Sequence, residues 1–455
     1  MQTALPHPLE EAASALHFPQ QTLDRVTFQG SGILASAFPI TDFAAQSIAA
    51  AGLAVSQLLG TLSDRPCPVV VDRSLASRWF GFSIQPVGWT LPAAWDTIAG
   101  DYLASDGWIR LHTNAPHHKA AALKVLQCSE ERTEVAHTVG RWTAEALETA
   151  IVEQGGCAAA MRTAAAWQRH PQGRAVAAEP LMAFSSLAHA FDRSAWQPNA
   201  AQPLAGVKVL DLTRVLAGPV ATRFLAGYGA DVLRIDPPDW DEPGLIPEVT
   251  LGKRCARLDL RTSEGRTVFE RLLSEADVLV HGYRPGALDN LGYGKAARRA
   301  LNPGLIDVSL NAYGWTGPWR SRRGFDSLMQ MSSGIAHDGM AWQKADRPVP
   351  LPVQALDHAT GYLMAAAVVR SLQWRMAENK ATTATLSLAR TAHALLAMPR
   401  VEDQGCPTAV SDSDFQTSLE QTDWGPAKRL HSPLTVNGIA LTWQRPASRL
   451  GSAKP

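Results

Sequence analysis

The sequence predicts an α/β protein: a doubly wound, mostly parallel sheet joined to a smaller α+β domain. Three observations carry that prediction. In the second half, short apolar runs alternate with helical stretches, and the runs end in Gly-rich polar loops. Between Asp101 and Gly173 the texture changes to a hairpin followed by three short helices. Near both ends, an Ala-rich helix, a short strand and a second helix follow one another in the same order.

The stretch that organises the chain is Leu204–Asp236. Val207–Leu212 is apolar and β-branched, which suits a buried parallel strand. A turn over Thr213–Gly218 leads to a helix over Pro219–Tyr228, with Pro near its start and Gly229 just past its end. Asp231–Asp236 reads as the next strand. Such a β-α-β unit offers the carboxyl ends of its strands to a ligand. Asp236 stands where a ribose-binding acid belongs, yet the turn reads RVLAGP and not G-x-G-x-x-G. That argues against hydride transfer. After the acidic loop PPDWDEPG, strands are expected at Ala256–Leu260, Ala276–Val280 and Leu305–Leu310. Thr262 and Ser263 cap a helix that runs to about Ser274.

Residues 1–34 carry little pattern. Phe38-Pro-Ile-Thr-Asp then runs into an Ala-rich helix, with a strand at Val69–Val71 and a helix at Ser74–Phe82. The later counterpart is Leu351-Pro-Val-Gln-Ala-Leu-Asp before an apolar helix, then a strand over Ala384–Leu388 and a helix over Ala389–Ala397. Asp42 and Asp357 correspond, an internal repeat of about fifty residues. In the small module, Tyr102–Ser105 and Trp108–Thr113 flank the hairpin signal Asp106-Gly107. Helices are expected at His117–Gln127, Glu130–Val139 and Ala144–Gln154, the last two capped by Ser129 and Thr143, and a strand at Cys157–Met161. His112, His117 and His118 have poor metal-ligand spacing and are expected to be solvated. Residues 174–203 read as a connection.

The 42 basic and 42 acidic residues cancel, so no global field favours nucleic acid or an acidic membrane. Cys67, Cys128, Cys157, Cys255 and Cys406 form no C-x-x-C, which suits reduced thiols and neither disulfides nor zinc. No basic region precedes an apolar core at the N-terminus, as a signal peptide requires. Phe43–Leu59 is broken by Gln46, Ser47 and Gly52, so a buried helix is expected there and not a membrane span. These features lead us to expect a soluble cytoplasmic protein without a metal.

Several words recur together: VLDLTRVLAGPVATRFLAGYGADVLRID, G-K-R-x-x-x-L-D-L from Gly252, Y-R-P-G-A from Tyr283, and PVQALDHATG. Over residues 203–400 the chain resembles the family III CoA-transferases. The resemblance implies a Rossmann-like CoA-binding catalytic domain at 203–400 and a degenerate half at 1–200 with a small module at about 98–175. Residues 401–455 would then be a tail packing on the large domain. It also implies acyl-CoA and carboxylic acid substrates and a homodimer.

Carried over by matching words, the CoA-contacting positions are Val215, Leu216 and Ala217 in the first turn, then Leu258, Asp259, Leu260 and Arg261. To these are added Gly282, Tyr283, Arg284, Ala287 and Arg323, with Tyr283 suited to stacking on adenine. The cations Lys253, Arg254, Arg257, Arg320 and Arg322 are further phosphate candidates. The chain departs from formyl-CoA-type members at Leu216, Gly282, Pro237 and Asn290. The family nucleophile corresponds to Asp357, a carboxylate already ionised near neutrality. Gly361 would let a ligand come close, and Asp326 resembles an acidic position near the thioester. A helix cap is the plainer reading of Asp357, and both can hold together. Asp42, with no CoA-binding words before it, reads as a remnant.

Two rival readings remain. Related α-methylacyl-CoA racemases carry G-H-D where this chain has Gly324-Phe325-Asp326, and Phe325 cannot exchange a proton. His358 is a poor substitute, because neighbouring helical positions point about 100° apart. The other rival is a CoA-binding relative whose chemistry has decayed.

Overall fold

The computed structural model describes residues 8–31, 34–62, 66–188, 196–400 and 409–455. The N-terminal unit consists of helix α1 (Ile40–Leu59), strand β1 (Val69–Asp72) and helix α2 (Arg73–Trp79). Asp72 ends the strand and caps α2, its Oδ1 accepting from the Leu75 N–H at 2.8 Å. β1 pairs in parallel with Val26–Gln29 and antiparallel with Leu434–Val436 of the tail. The tail strand Gly425–Arg429 likewise pairs with Ile84–Pro86, so the two ends of the chain are woven together.

The small module contains β2 (Gly100–Leu103), β3 (Trp108–Leu111), α3 (Pro116–Leu126), α4 (Arg132–Val139), α5 (Ala144–Glu153) and β4 (Ala158–Ala160). Its strands form an antiparallel sheet over a separate core that includes Ile98, Tyr102, Ile109 and Leu147. Ser129 is not a cap, because α4 begins later, after Glu131; Thr143 stands at the N-cap of α5 without a side-chain bond. His112 and His118 are buried, contrary to the expectation of solvated rings, because the module packs against the large domain.

The main sheet is built from β5 (Ala183–Ala188), β6 (Lys208–Leu212), β7 (Asp231–Asp236), β8 (Arg254–Arg257), β9 (Val278–His281), β10 (Ile306–Asn311) and β11 (Lys380–Ser387). Their order across the sheet is β8-β7-β6-β9-β10-β11-β5, and all pairings are parallel except that of β5. Residues 174–203 are therefore more than a connection: they supply the antiparallel edge strand, while 189–195 lie outside the described residues. The strand expected at Ala256–Leu260 sits earlier, because the Leu258 N–H makes a final bond to the Asp236 carbonyl before the chain turns.

Helix α6 (Ala217–Gly227) follows β6, and α7 (Ser263–Glu275) follows β8 with Thr262 as its cap. The later helices are α8 (Asp326–Ser333), α9 (Ala355–Glu378) and α10 (Leu388–Ala397). α9 is buried along most of its length between α1, α6 and the sheet. Small residues permit that crossing. A Cβ on Gly361 would come within 2.4 Å of the Ala217 carbonyl oxygen, so Gly361 serves helix packing and not ligand approach. Among the described residues Cys67, Cys157 and Cys255 are buried and Cys128 is half-buried; Cys406 lies outside them. No described helix is long and apolar enough to cross a membrane.

Candidate active site

The strand order reverses between β6 and its neighbour β9, so the turns leaving those strands diverge and open a crevice. The turn after β6 is held by a buried ion pair. Asp211 and Lys253 are fully sequestered, with Lys253 Nζ 2.9 Å from Asp211 Oδ2 and 3.0 Å from the Pro219 carbonyl. The hydroxyls of Thr213 and Thr222 also donate to Asp211. Burial disfavours the Asp211 charge, but Lys253, Arg234 and the hydroxyls outweigh it and keep its pKa below the usual range. Lys253 is therefore a strut under the turn, with no ammonium free for a phosphate.

Val215 has φ of 63°, a left-handed conformation that is unusual for a β-branched residue. Its N–H donates to Glu242 Oε2 at 2.9 Å, and Arg234 holds Glu242 at 2.5 Å and Asp236 at 2.8 Å. Asp236 is consumed by this pairing, which agrees with the exclusion of a dinucleotide site. A shaped turn results, and part of its support comes from Arg234 and Glu242, which no local pattern in the sequence marks.

Asp357 stands in the first turn of α9, but the N-cap position belongs to Gln354. The capping bonds come from Asp326 at the start of α8. Its Oδ2 accepts from the N–H groups of Leu356 (2.9 Å) and Asp357 (3.0 Å), and Gln330 donates to its Oδ1. Among the described residues no hydrogen bond reaches the Asp357 carboxyl, which is 6% exposed. Burial, and then the charge of Asp326, push the Asp357 pKa well above the ordinary carboxylate value; burial lifts Asp326 to about 6. The expectation of a carboxylate that is simply ionised near neutrality is thus corrected. Asp326 is bonded on both oxygens and carries the charge more easily than Asp357.

Asp357 opens onto a cavity of about 460 Å³. Its lining combines the turn Val215–Leu216, Phe325 and Asp326 with Phe80, Phe82, Trp95 and His112 from the first half of the chain. The His112 ring stacks on Phe325 at 3.7 Å, and burial lowers its pKa to about 3, so the ring is neutral. The two parts of the lining are tied together by buried Glu248. It accepts from the Ser83 N–H (2.9 Å) and Oγ (2.7 Å), and it pairs with Arg223 and with Arg429 of the tail.

Of the remaining expected CoA contacts, Tyr283 and Arg284 line a second cavity of about 370 Å³. Arg214 bridges the two regions, its guanidinium 4.5 Å from the Trp240 ring and 5.6 Å from that of Tyr283. Leu258 and Leu260 pack in one apolar cluster with Tyr283. Gly282 and Ala287 flank Tyr283 and Arg284, whereas Ala217 is buried in the first turn of α6. Arg323 binds the Gly155 carbonyl at 2.7 Å, and burial followed by the nearby charge of Arg284 disfavours its own.

Other expected cations are occupied. Arg261 pairs with Asp259 at 2.8 Å, Arg254 with Asp231 at 3.1 Å and Arg322 with Glu148 at 2.8 Å. Arg257 donates to the carbonyls of Pro237, Pro238 and Trp240. No group of three or more metal-ligating side chains occurs among the described residues. A shallower cleft of about 520 Å³ beside Gln416 and Trp443 contains none of the expected site residues.

Residues 204–418 match the family model described as CoA-transferase family III. An acyl-CoA transferase of Fusarium pseudograminearum is 31% identical over 214 residues, covering 42% of this chain and 46% of that protein. A formyl-CoA:oxalate CoA-transferase of Escherichia coli O81 is 31% identical over 200 residues, covering 41% and 47%. The crystal structure of Rv3272 from M. tuberculosis shares 34% identity with a TM-score of 0.41, covering 44% of this chain and 57% of that one. The chain spans about half the length of the curated relatives it matches.

Proposed function

We propose that this chain, whose residues 204–418 match CoA-transferase family III, moves CoA from an acyl-CoA thioester to a carboxylic acid with Asp357 as nucleophile. One observation carries the reading: Asp357 offers an unbonded carboxyl to a cavity that the turn Val215–Leu216 also lines. The Asp357 carboxylate adds to the thioester carbonyl, the C–S bond breaks, and an aspartyl anhydride and CoA thiolate form. The thiolate attacks the aspartyl carbonyl, which releases the first acid and leaves an aspartyl-CoA thioester. The acceptor carboxylate attacks the carbonyl of that thioester, the C–S bond breaks to release CoA thiolate, and a second anhydride forms between Asp357 and the acceptor. Attack by the thiolate on the new acyl carbonyl yields product and regenerates Asp357.

The positive N-terminus of α9 favours the ionised carboxyl, while burial keeps water from competing for the anhydride. Arg284, Arg323 and Arg214, around Tyr283, are the cations we assign to the CoA phosphates. Val215, Leu216, Ala217, Leu258, Asp259, Leu260, Arg261, Gly282 and Ala287 complete that proposed site. The strand order supports a doubly wound, Rossmann-like large domain, and the helix-strand-helix order shared by α1-β1-α2 and α9-β11-α10 supports a degenerate half in residues 1–200. A homodimer and a cytoplasmic location belong to the same proposal. The test is exchange: acyl-CoA is incubated with a second carboxylic acid, and the new acyl-CoA is measured by mass spectrometry. Exchange by the wild type and none by Asp357→Ala is expected; full exchange by the variant would remove Asp357 from the mechanism.

A further inference from the structure

The wall that faces Asp357 differs in chemistry from the acid site it covers. Phe80, Phe82, Trp95 and His112 all come from residues ahead of the segment that matches the family. Phe82 and Trp95 are 42% and 40% exposed, large apolar surfaces left uncovered at the cavity. Phe325 adds a further ring, stacked on the neutral imidazole of His112.

None of the residues lining this cavity is Lys or Arg. The acids that line it are mostly engaged elsewhere. Asp96 pairs with Lys119 at 2.6 Å, Glu242 with Arg234 at 2.5 Å, and Glu248 with Arg223 and Arg429. The unpaired acids are Asp241 at the exposed edge and the Asp326–Asp357 pair itself. A second carboxylate on an acyl group would meet no cation here, and it would meet the charge of Asp326. Burying such a charge unpaired is strongly unfavourable, whereas an apolar group would cover the exposed rings. A cationic acyl group would find Asp96, Glu242 and Glu248 already paired, which leaves it only Asp241 at the edge and the carboxyl pair that does the chemistry.

We propose that the acyl group handled at Asp357 is uncharged and apolar, a branched or aromatic monocarboxylate, and that Phe80, Phe82, Trp95 and Phe325 select it over dicarboxylic acids. The inference rests on the Asp357 reading and names the substrate class of that site. The cavity of about 460 Å³ has room for a ring-sized acyl group beside its thioester. Phe80, Phe82 and Trp95 lie ahead of the matched residues 204–418, and Phe325 lies within them.

The experiment is a panel on the wild-type chain: isovaleryl-CoA, phenylacetyl-CoA, succinyl-CoA and 4-trimethylammoniobutyryl-CoA, each quenched with hydroxylamine. The readout is the rate of hydroxamate formation on the Asp357 peptide. The two apolar thioesters should react at least about tenfold faster than the other two, the range in which pocket contacts discriminate. Phe82→Arg, on an exposed side chain, should narrow the gap between succinyl and isovaleryl by placing a cation at the wall. Equal or faster labelling by succinyl-CoA or by the cationic thioester would overturn the inference and leave Asp357 as nucleophile. Absence of any hydroxamate across the panel would overturn both.

Discussion

Two helices in this molecule begin alike and end up in different chemistry. Asp42 and Asp357 are each the third residue of a long buried helix, after N-cap residues Pro39 and Gln354 with ψ of 64° in both. Each helix leads to a strand and then a short helix. Asp42 is met by Arg73 at 2.5 Å and remains about a third exposed. Asp357 is met by no cation among the described residues, sits beside Asp326 and opens onto the cavity. The position in the helix is the same; what differs is what neighbouring elements bring to it. An aspartate at a helix start becomes reactive only where its pairing is withheld and its solvent removed.

The largest effect expected to separate the two aspartates is chemical. Asp357→Ala should lower exchange by at least ~10³-fold while Asp42→Ala leaves it near the wild-type rate, measured as acyl-CoA interconversion. Next comes the strut that shapes only the Asp357 side. Lys253→Met leaves Asp211 buried and unpaired and should destabilise the fold by about 3–5 kcal/mol in urea denaturation. Were Lys253 a phosphate ligand, stability would hold and CoA affinity alone would fall. Gly361→Ala forces α9 away from the Ala217 carbonyl and should cost about 1–3 kcal/mol in the same measurement.

Smaller effects follow the carboxyl pair. Asp326→Asn removes the like charge and should move the acidic limb of the pH–rate profile to lower pH, since Asp357 must be ionised to attack. Stability has the opposite sign. A carboxyl raised in the folded state holds a proton that the unfolded chain releases, so wild-type stability falls as pH rises from about 4 through the raised value. Asp357→Asn removes that loss; its Tm should exceed wild type at pH 7, and the gap should close near pH 4. Asp42→Ala is the smallest, on the order of 0.5 kcal/mol for a screened, partly exposed pair.

The large sheet was legible because its strands are continuous apolar runs and its turns carry family words. Strand limits slipped by two residues at the start and three at the end of β8, where ladder bonding ended the strand earlier than the apolar pattern did. The edge strand Ala183–Ala188 was missed because it lies in an Ala- and Pro-rich stretch with no turn signal of its own. Asp357 and Asp326 were legible by position, but their electrostatics were not. The shift depends on burial and on a carboxylate thirty-one residues away in the chain. The aromatic wall was not legible at all. Phe80, Phe82, Trp95 and His112 follow no spacing rule, and long-range packing alone sets them opposite Asp357. Likewise, nothing local marks Lys253 as a strut; only its burial against Asp211 shows that its charge is already used.

The central claim is that Asp357, and not its counterpart Asp42, becomes covalently acylated during turnover. The direct measurement is peptide mass spectrometry of the chain incubated with a reactive acyl-CoA and quenched with hydroxylamine, which converts an acyl-aspartyl anhydride or aspartyl-CoA thioester to a hydroxamate. The account predicts a single hydroxamate on the peptide carrying Asp357, absent in Asp357→Ala and retained in Asp42→Ala. A hydroxamate on the peptide carrying Asp42 would contradict it.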